Sequence, residues 1–320
     1  MIISKTPLRI SLFGGGTDFP EYFNKKKSII IGTTINKYIY ITFNKTIRFD
    51  ENNIKIFYKN NEFVNNVHKL NHNVVKKLLI KEKITNDLDL HIVADLPSYS
   101  GLGTSSAFTV GLMNLLKSFR KINLKKNQLA RECINFERNI LRESVGYQDQ
   151  IHATYGGFNR IEIDRKNIKV TPIKFNKQKF EKNLYLVFTG ITRKAESIEK
   201  KKISRIKTNF SHLNKINEIS EIAYELIKKN KIDEVGELLG KTWELKKKLH
   251  GDLSNNTIDK LYEKGIKAGA SGGKLLGAGA GGFILFYVKN KYKKTFLTKM
   301  KTNKVVDFKF CNEGSKIIEI

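Results

Sequence analysis

Three clusters of glycine, set far apart in a chain of 320 residues, constrain its fold more than any other feature. Gly14-Gly15-Gly16 closes an alternating run, Gly101-Leu102-Gly103 precedes a helical one, and Gly272–Gly282 leads into an apolar run. Glycine is costly to order, so runs of it occur where backbone must turn tightly or come close to a ligand or a second segment. The elements flanking each cluster therefore decide what it can do.

Residues 2–13 alternate, with Leu8, Ile10 and Leu12 on one face and Arg9, Ser11 and Phe13 on the other, which predicts a strand. The turn at Gly14–Gly16 then brings Arg9 and Asp18 to the same end of that strand. Asp18 can accept hydrogen bonds from sugar hydroxyls, and Arg9 can neutralise charge developing on a phosphoryl group. As a plain β-turn with a helix cap, the same residues would need no ligand.

The second segment, Pro97-Ser98-Tyr99-Ser100-Gly101-Leu102-Gly103-Thr104-Ser105-Ser106-Ala107, has a strand running in and a helix running out. Free N–H groups and the positive helix end then converge on one spot, a site for an anion. The lysine of GxxxxGK[ST] is absent, so this is not the common NTPase loop, and no acidic residue follows as in a dinucleotide-binding βαβ unit. Capping alone would use one hydroxyl, whereas Thr104, Ser105 and Ser106 stand in a row. The third segment either brings backbone to a ligand or a second domain, or forms a flexible hairpin. Glu137 within a helix and Asp149 after Gly146 each read, taken singly, as a solvated side chain and a turn residue.

Strands are expected at Ile29–Ile35, Tyr38–Phe43, Ile54–Tyr58, Leu88–Ala94, Tyr155–Ile163 and Ile168–Ile173, and helices at Val74–Leu79, Ser105–Phe119 and Gln128–Arg142. Past residue 175 come a strand at Leu184–Thr189 and Lys-rich helical sequence from Lys194 to Leu249. That stretch has apolar stripes through Ile216, Ala223 and Ile227 and through Val235, Leu239 and Trp243. A helix at Thr257–Ala268, a strand at Phe283–Val288, a helix at Tyr292–Met300 and strands at Val305–Phe310 and Lys316–Ile320 complete the chain. Strands and helices mix without strict βαβ alternation, so the fold class is α+β in two domains, 1–172 and 173–320.

The formal charge of +28 would suit a nucleic-acid binder, but the lysines are spread among Asn and Ile along the whole chain. The same field favours a phosphorylated small molecule, and no nucleic-acid partner is expected. Cys133 and Cys311 form no CxxC, which argues against a disulfide framework or zinc site and for the cytoplasm. Arg9 interrupts the N-terminal apolar stretch, unlike a signal peptide, and the 14-residue run Leu275–Val288 is too short to span a bilayer.

Taken in order, the three segments resemble the motifs of the GHMP kinases, the superfamily of galactokinase, homoserine kinase and mevalonate kinase. The second motif there reads Pro, a short gap, then Gly-Leu-(Gly/Ser)-Ser-Ser-Ala; the third reads Lys-Leu-(Thr)-Gly-Ala-Gly-x-Gly-Gly, matched by Lys274–Gly282. Gly146-Tyr147-Gln148-Asp149-Gln150 is similar to the galactokinase segment that bears the catalytic aspartate. Within the superfamily, GGGTDFPEYF looks like the D-glycero-D-manno-heptose 7-phosphate kinases, with L-fucokinase-type enzymes next. The resemblance implies an N-terminal domain like domain 2 of ribosomal protein S5 and a ferredoxin-like C-terminal domain, with the site between them.

It also implies roles. ATP phosphates would lie on Pro97, Gly101, Leu102, Gly103, Thr104, Ser105 and Ser106, with Mg²⁺ held by Glu137 and by Ser105 or Ser106. Asp149 would be the base facing the acceptor hydroxyl and Arg9 its charge partner. Gly15, Gly16, Thr17 and Asp18 would meet the sugar, and Gly277–Gly282 would close over it with Gly279 against the acceptor. A 7-phosphate needs cations, and Arg193 and Lys194, after Gly190, are the candidates. The expected partner is a sugar phosphate, and the expected state a monomer or homodimer.

Overall fold

The computed structural model describes residues 1–47, 53–192, 206, 208–249 and 251–319. The expected first strand is β1 (Ile2–Phe13), and both its faces are covered: Leu8, Ile10 and Leu12 are fully buried, and so nearly are Arg9 and Ser11 opposite them. A strand that buries an arginine on its second face is holding it for a purpose beyond packing, because desolvated charge must be paired.

The two strands expected at 29–35 and 38–43 are one, β2 (Ser28–Lys45). It stays continuous because it changes partners along its length. Ser28–Thr33 pairs with β6 (Phe158–Ile163), Thr34–Ile35 with β12 (Phe310–Cys311), and Ile39–Lys45 with β5 (Leu88–Ala94). With β3 (Ile54–Phe57), β4 (Glu62–Val64), β7 (Ile168–Pro172) and the C-terminal β13 (Lys316–Glu319) they form a nine-stranded sheet. Sheet pairing thus crosses the division expected at 172/173. The single strand expected at Val305–Phe310 splits, because Val305–Val306 (β11) pairs with β8 (Leu184–Phe188) of a second sheet while Phe310–Cys311 pairs with β2.

That second sheet has the order β11-β8-β10-β9, with β9 at Ala270–Leu275 and β10 at Phe283–Val288, all antiparallel. In chain order this is 4-1-3-2, the ferredoxin-like arrangement. Its helices are α7 (Phe210–Lys228), α8 (Ile232–Leu249), α9 (Asn256–Lys267) and α10 (Lys293–Lys299); in the first half lie α1 (Pro20–Phe23), α2 (Asn73–Lys81), α3 (Thr104–Phe119), α4 (Lys126–Asn135), α5 (Gln148–Tyr155) and α6 (Lys177–Glu181). The apolar stripes of α7 and α8 pack inward, with Trp243 fully buried. Asn217 of α7 joins the halves by accepting from Ile29 N at 2.8 Å and donating to Lys27 O at 3.0 Å.

The third glycine cluster is only partly a loop. Gly272 and Gly273 lie within β9, where a Cβ on Gly272 would run into Gly236 O and one on Gly273 into Phe286. Gly272 lets α8 lie directly on the strand and Gly273 makes room for the Phe286 ring of β10, so their role is packing, and the free turn is confined to residues 276–282. No described helix is long and apolar enough to cross a membrane.

Candidate active site

A cavity of about 510 Å³ lies where β1, the start of α3, α5, α8 and the turn after β9 meet. Its side nearest α3 is built by Gly103, which takes φ 72° just before that helix and stands so close to β1 that a Cβ would sit 3.1 Å from the Arg9 Cγ. Arg9 N donates to Leu102 O at 3.0 Å, laying the turn on the strand. No side chain caps α3, so its leading N–H groups remain suited to an anion, and Gly101, Gly103, Thr104, Ser105 and Ser106 line the cavity. Leu102 is fully buried behind them, and Pro97 is exposed and off the wall.

Asp149 belongs to α5, a helix of eight residues not foreseen from the sequence, rather than to a turn. Its place in the first turn aims the carboxylate at β1. Arg9 donates Nε to Oδ1 at 2.8 Å and Nη2 to Oδ2 at 2.7 Å, while Nη1 donates to Gly101 O at 2.6 Å. One guanidinium thus fixes a carboxylate and the Gly101–Gly103 turn together, which suits the planar fork of arginine. The Asp149 side chain keeps 26% exposure, whereas that of Arg9 keeps 6%, so the carboxylate is what faces the cavity.

Asp18 organises the turn after β1 and the start of α5. Its carboxylate accepts from Gly16 N at 3.0 Å and Gln148 N at 3.3 Å, and its carbonyl accepts from Tyr147 N at 3.0 Å. Any side chain at residue 146 would collide with that carboxylate, which explains the glycine of Gly146-Tyr147-Gln148-Asp149. Gly15 and Gly16 line the cavity with Asp18. Thr17 does not: it is fully buried, its hydroxyl donating to Gly14 O at 2.8 Å and meeting Ser28 Oγ at 2.6 Å.

Two residues that sequence reasoning passed over stand on the same wall. Ser11 and Gln148 line the cavity, and their Oγ and Oε1 atoms are buried with no hydrogen-bond partner among the described residues. Buried polar atoms left this way are costly, and a polyhydroxylated ligand would satisfy them. The signal for Ser11 was its position one residue pair along the strand from Arg9, on the same face. Beneath them His152 is fully buried against Gly32; burial foremost, then the charge of Arg9, pushes its imidazole down to about 3.

Glu137 lies in a π-helical turn, Phe136–Ile140, that ends the helix expected to reach Arg142. It is fully buried, and its Oε2 accepts from Ser106 Oγ at 2.9 Å and from Gln150 Nε2. Oε1 is buried and has no hydrogen bond among the described residues; Thr109 also faces the carboxylate, but its hydroxyl donates to Ser105 O at 3.3 Å. Burial pushes the carboxyl up to about 7, against the hydrogen bonds that favour its ionised form. Of the two serines, the structure thus pairs Ser106 with Glu137. Among the described residues no three His, Cys, Asp or Glu side chains cluster, so any divalent cation here would need oxygens from the substrate as well.

Motif three meets motif two backbone to backbone. A Cβ on Gly277 would strike Gly101 Cα, and one on Gly101 would strike Leu276 O. Gly279 sits against Leu253, off the cavity wall. Lys246 and Lys274, also unforeseen as site residues, line the cavity while almost wholly buried. Lys246 had a visible signal: it falls on the buried stripe Val235, Leu239, Thr242, where an apolar residue is expected. Beyond the start of α3 the cavity turns aromatic, with His72 between Tyr58 and Phe108 at ring distances of 5.1 and 5.2 Å, and Tyr58 donating to Glu62 at 2.7 Å. Arg193 and Lys194 lie outside the described residues.

Over an alignment 334 positions long the chain is 33% identical to a protein of Campylobacter jejuni named D-glycero-alpha-D-manno-heptose 7-phosphate kinase, covering 98% of each. This chain belongs to the GHMP kinases. The families described as GHMP kinases N terminal domain and GHMP kinases C terminal match residues 67–157 and 223–301 of this GHMP kinase. A solved structure of a D-glycero-D-manno-heptose 1-phosphate kinase from Bacteroides thetaiotaomicron superimposes with a TM-score of 0.82 at 25% identity, covering 100% of this chain and 99% of that one. A galactokinase of Lactococcus lactis, solved with galactose, shares the fold with a TM-score of 0.76 at 18% identity, covering 98% and 95%. The protein is an ATP-dependent kinase of this family, with the two-domain α+β fold that the family shares.

Proposed function

We propose that the enzyme phosphorylates the anomeric C1 hydroxyl of D-glycero-D-manno-heptose 7-phosphate, giving the 1,7-bisphosphate for nucleotide-activated heptose. The observation that carries the reading is the Arg9–Asp149 pair, set between an uncapped helix start and a wall bearing Asp18, Ser11 and Gln148. The likeness in sequence to the Campylobacter jejuni protein supports the choice of sugar. Two buried free thiols suit the cytoplasm.

The ATP phosphates lie on the N–H groups of Gly101–Ser106, with the adenine towards Tyr58, His72 and Phe108. The sugar hydroxyls meet Ser11, Gln148 and the Gly15–Asp18 turn. Asp149 accepts the proton of the C1 hydroxyl as its oxygen bonds to the γ-phosphorus and the bond to ADP breaks. Arg9 holds the Asp149 carboxylate in line and carries positive charge beside the transferring group. Glu137 Oε1 and the Ser106 hydroxyl are hard oxygens that fit Mg²⁺, which when bound neutralises phosphate charge. The backbone contact of Gly277 with Gly101 shuts the cavity from that side and keeps water from the phosphates.

A coupled assay of ADP formation across heptose 7-phosphate, free heptose, L-fucose and galactose tests the reading, with ³¹P NMR locating the new phosphate. Turnover of heptose 7-phosphate with a C1 ester is the expected result. A preference for L-fucose or galactose would replace this acceptor by another of the same class.

A further inference from the structure

Seven described residues other than glycine have positive φ, and of these Tyr99 alone is aromatic and alone lines the cavity. Its φ of 59° lies in the left-handed region, where the Cβ of a bulky residue crowds the neighbouring backbone. Glycine or asparagine would take this conformation at less cost. The backbone that follows is clamped, so the turn cannot relax. Ser100 is fully buried, a Cβ on Gly282 would strike Ser100 O, and Arg9 holds Gly101 O.

The ring returns nothing to the fold for that strain. Tyr99 keeps 48% exposure, and among the described residues its side chain makes no hydrogen bond, ion pair or ring contact. A strained residue that supports no packing points to a ligand. The wall around it says which kind. Ile92 and Ala94, at the end of β5, line the cavity with Tyr58, His72 and Phe108, so this end is apolar and aromatic. Beyond Ser100 the chain turns through Gly101–Gly103 into the uncapped start of α3. A flat ring joined to a phosphate chain fits both features, and a half-exposed phenol suits its π-face.

We infer that Tyr99 is a nucleotide-binding residue, whose ring stacks on the base of ATP and covers the aromatic end of the cavity. This rests on the placement of the adenine proposed above. The clamped turn keeps the phenol beside the cavity before the nucleotide arrives, which lowers the ordering cost of binding.

Full-length Tyr99→Gly and Tyr99→Phe test this by equilibrium binding of ATP and of tripolyphosphate, which has the phosphates without the base. No acceptor is present, so the result does not depend on which sugar the enzyme takes. Tyr99→Gly relieves the strain and should fold; Tyr99→Asn, which also tolerates this φ, replaces it if glycine weakens the fold. The Kd for ATP should rise by about tenfold in the glycine variant, the worth of one base–aromatic stack, while that for tripolyphosphate stays the same. Tyr99→Phe keeps the ring and should bind ATP as wild type does. Unchanged ATP affinity in Tyr99→Gly overturns the inference. So does an equal loss for tripolyphosphate, which would put the change in the turn, or a phenylalanine variant as weak as the glycine one. His72→Asn, which removes a ring of the same wall and retains a cap for Val75 N, separates this inference from the adenine placement. If it loses ATP affinity and Tyr99→Gly does not, the adenine lies as proposed and Tyr99 is no part of its site. If neither variant loses affinity, the adenine lies elsewhere and both readings fall.

Discussion

Arg9 and Asp149 come from a strand and a helix 140 residues apart in the chain, yet they meet through two parallel hydrogen bonds of 2.8 and 2.7 Å. Both residues line the cavity, and the same arginine also touches Gly101 in the turn before α3. Asp149→Asn preserves the shape but removes the charge and the proton acceptor. Turnover should fall by about 10²–10⁴-fold with ATP affinity little changed. Steady-state kinetics and a nucleotide titration check this, and near-normal turnover would remove Asp149 from the chemistry.

Glu137 gives a pH signature. Burial raises its carboxyl from the ordinary 4.5 to about 7. The folded chain therefore holds this proton when the unfolded chain has lost it, and stability falls as pH rises between those two values, by about 1.4 kcal/mol per pH unit. Glu137→Gln abolishes that loss. In metal-free buffer the variant should be more stable than wild type at about pH 8, the advantage vanishing below the unfolded value. Its Mg²⁺ requirement for half activity should rise. Urea midpoints across pH and Mg²⁺ titrations test both, and parallel stability profiles for the two proteins contradict the assignment.

Gly277→Ala puts a methyl group into the Gly101 backbone at a residue whose φ is 72°. Overpacking of this kind costs roughly 1–3 kcal/mol. Because the strain falls on the turn proposed to carry the ATP phosphates, ATP affinity should drop along with the melting temperature. A variant that melts lower but binds ATP normally would show that the two loops are mechanically independent.

Ser11→Ala separates binding from folding. The Ser11 hydroxyl is buried without a partner, so its removal should leave stability unchanged or slightly higher. If a sugar hydroxyl meets it, acceptor KM should rise by up to about tenfold, the worth of one ordinary hydrogen bond. An unchanged KM would place the acceptor elsewhere on the wall.

The sequence by itself determined the strand bearing Arg9, the turn-to-helix junction at Gly101–Ser106, the α+β character and the family, because alternation, helical spacing and short motifs are local and survive without knowledge of neighbours. Tertiary structure decided the rest. β2 runs unbroken through 18 residues because three different strands pair with it in succession, and Val305–Phe310 divides because two sheets compete for it. Gly272 and Gly273 read as loop residues but belong to a strand, since what they accommodate is distant in the chain: Gly236 of α8 for the first and the Phe286 ring of β10 for the second. Asp149 read as a turn residue, yet α5 is a short helix whose apolar face shows only when β1 covers it. The burial of Lys246 and Lys274, the choice of Ser106 as the partner of Glu137 and the position of Thr17 behind the wall all depend on which groups from elsewhere in the chain come within 3 Å, and no single stretch of sequence encodes that distance.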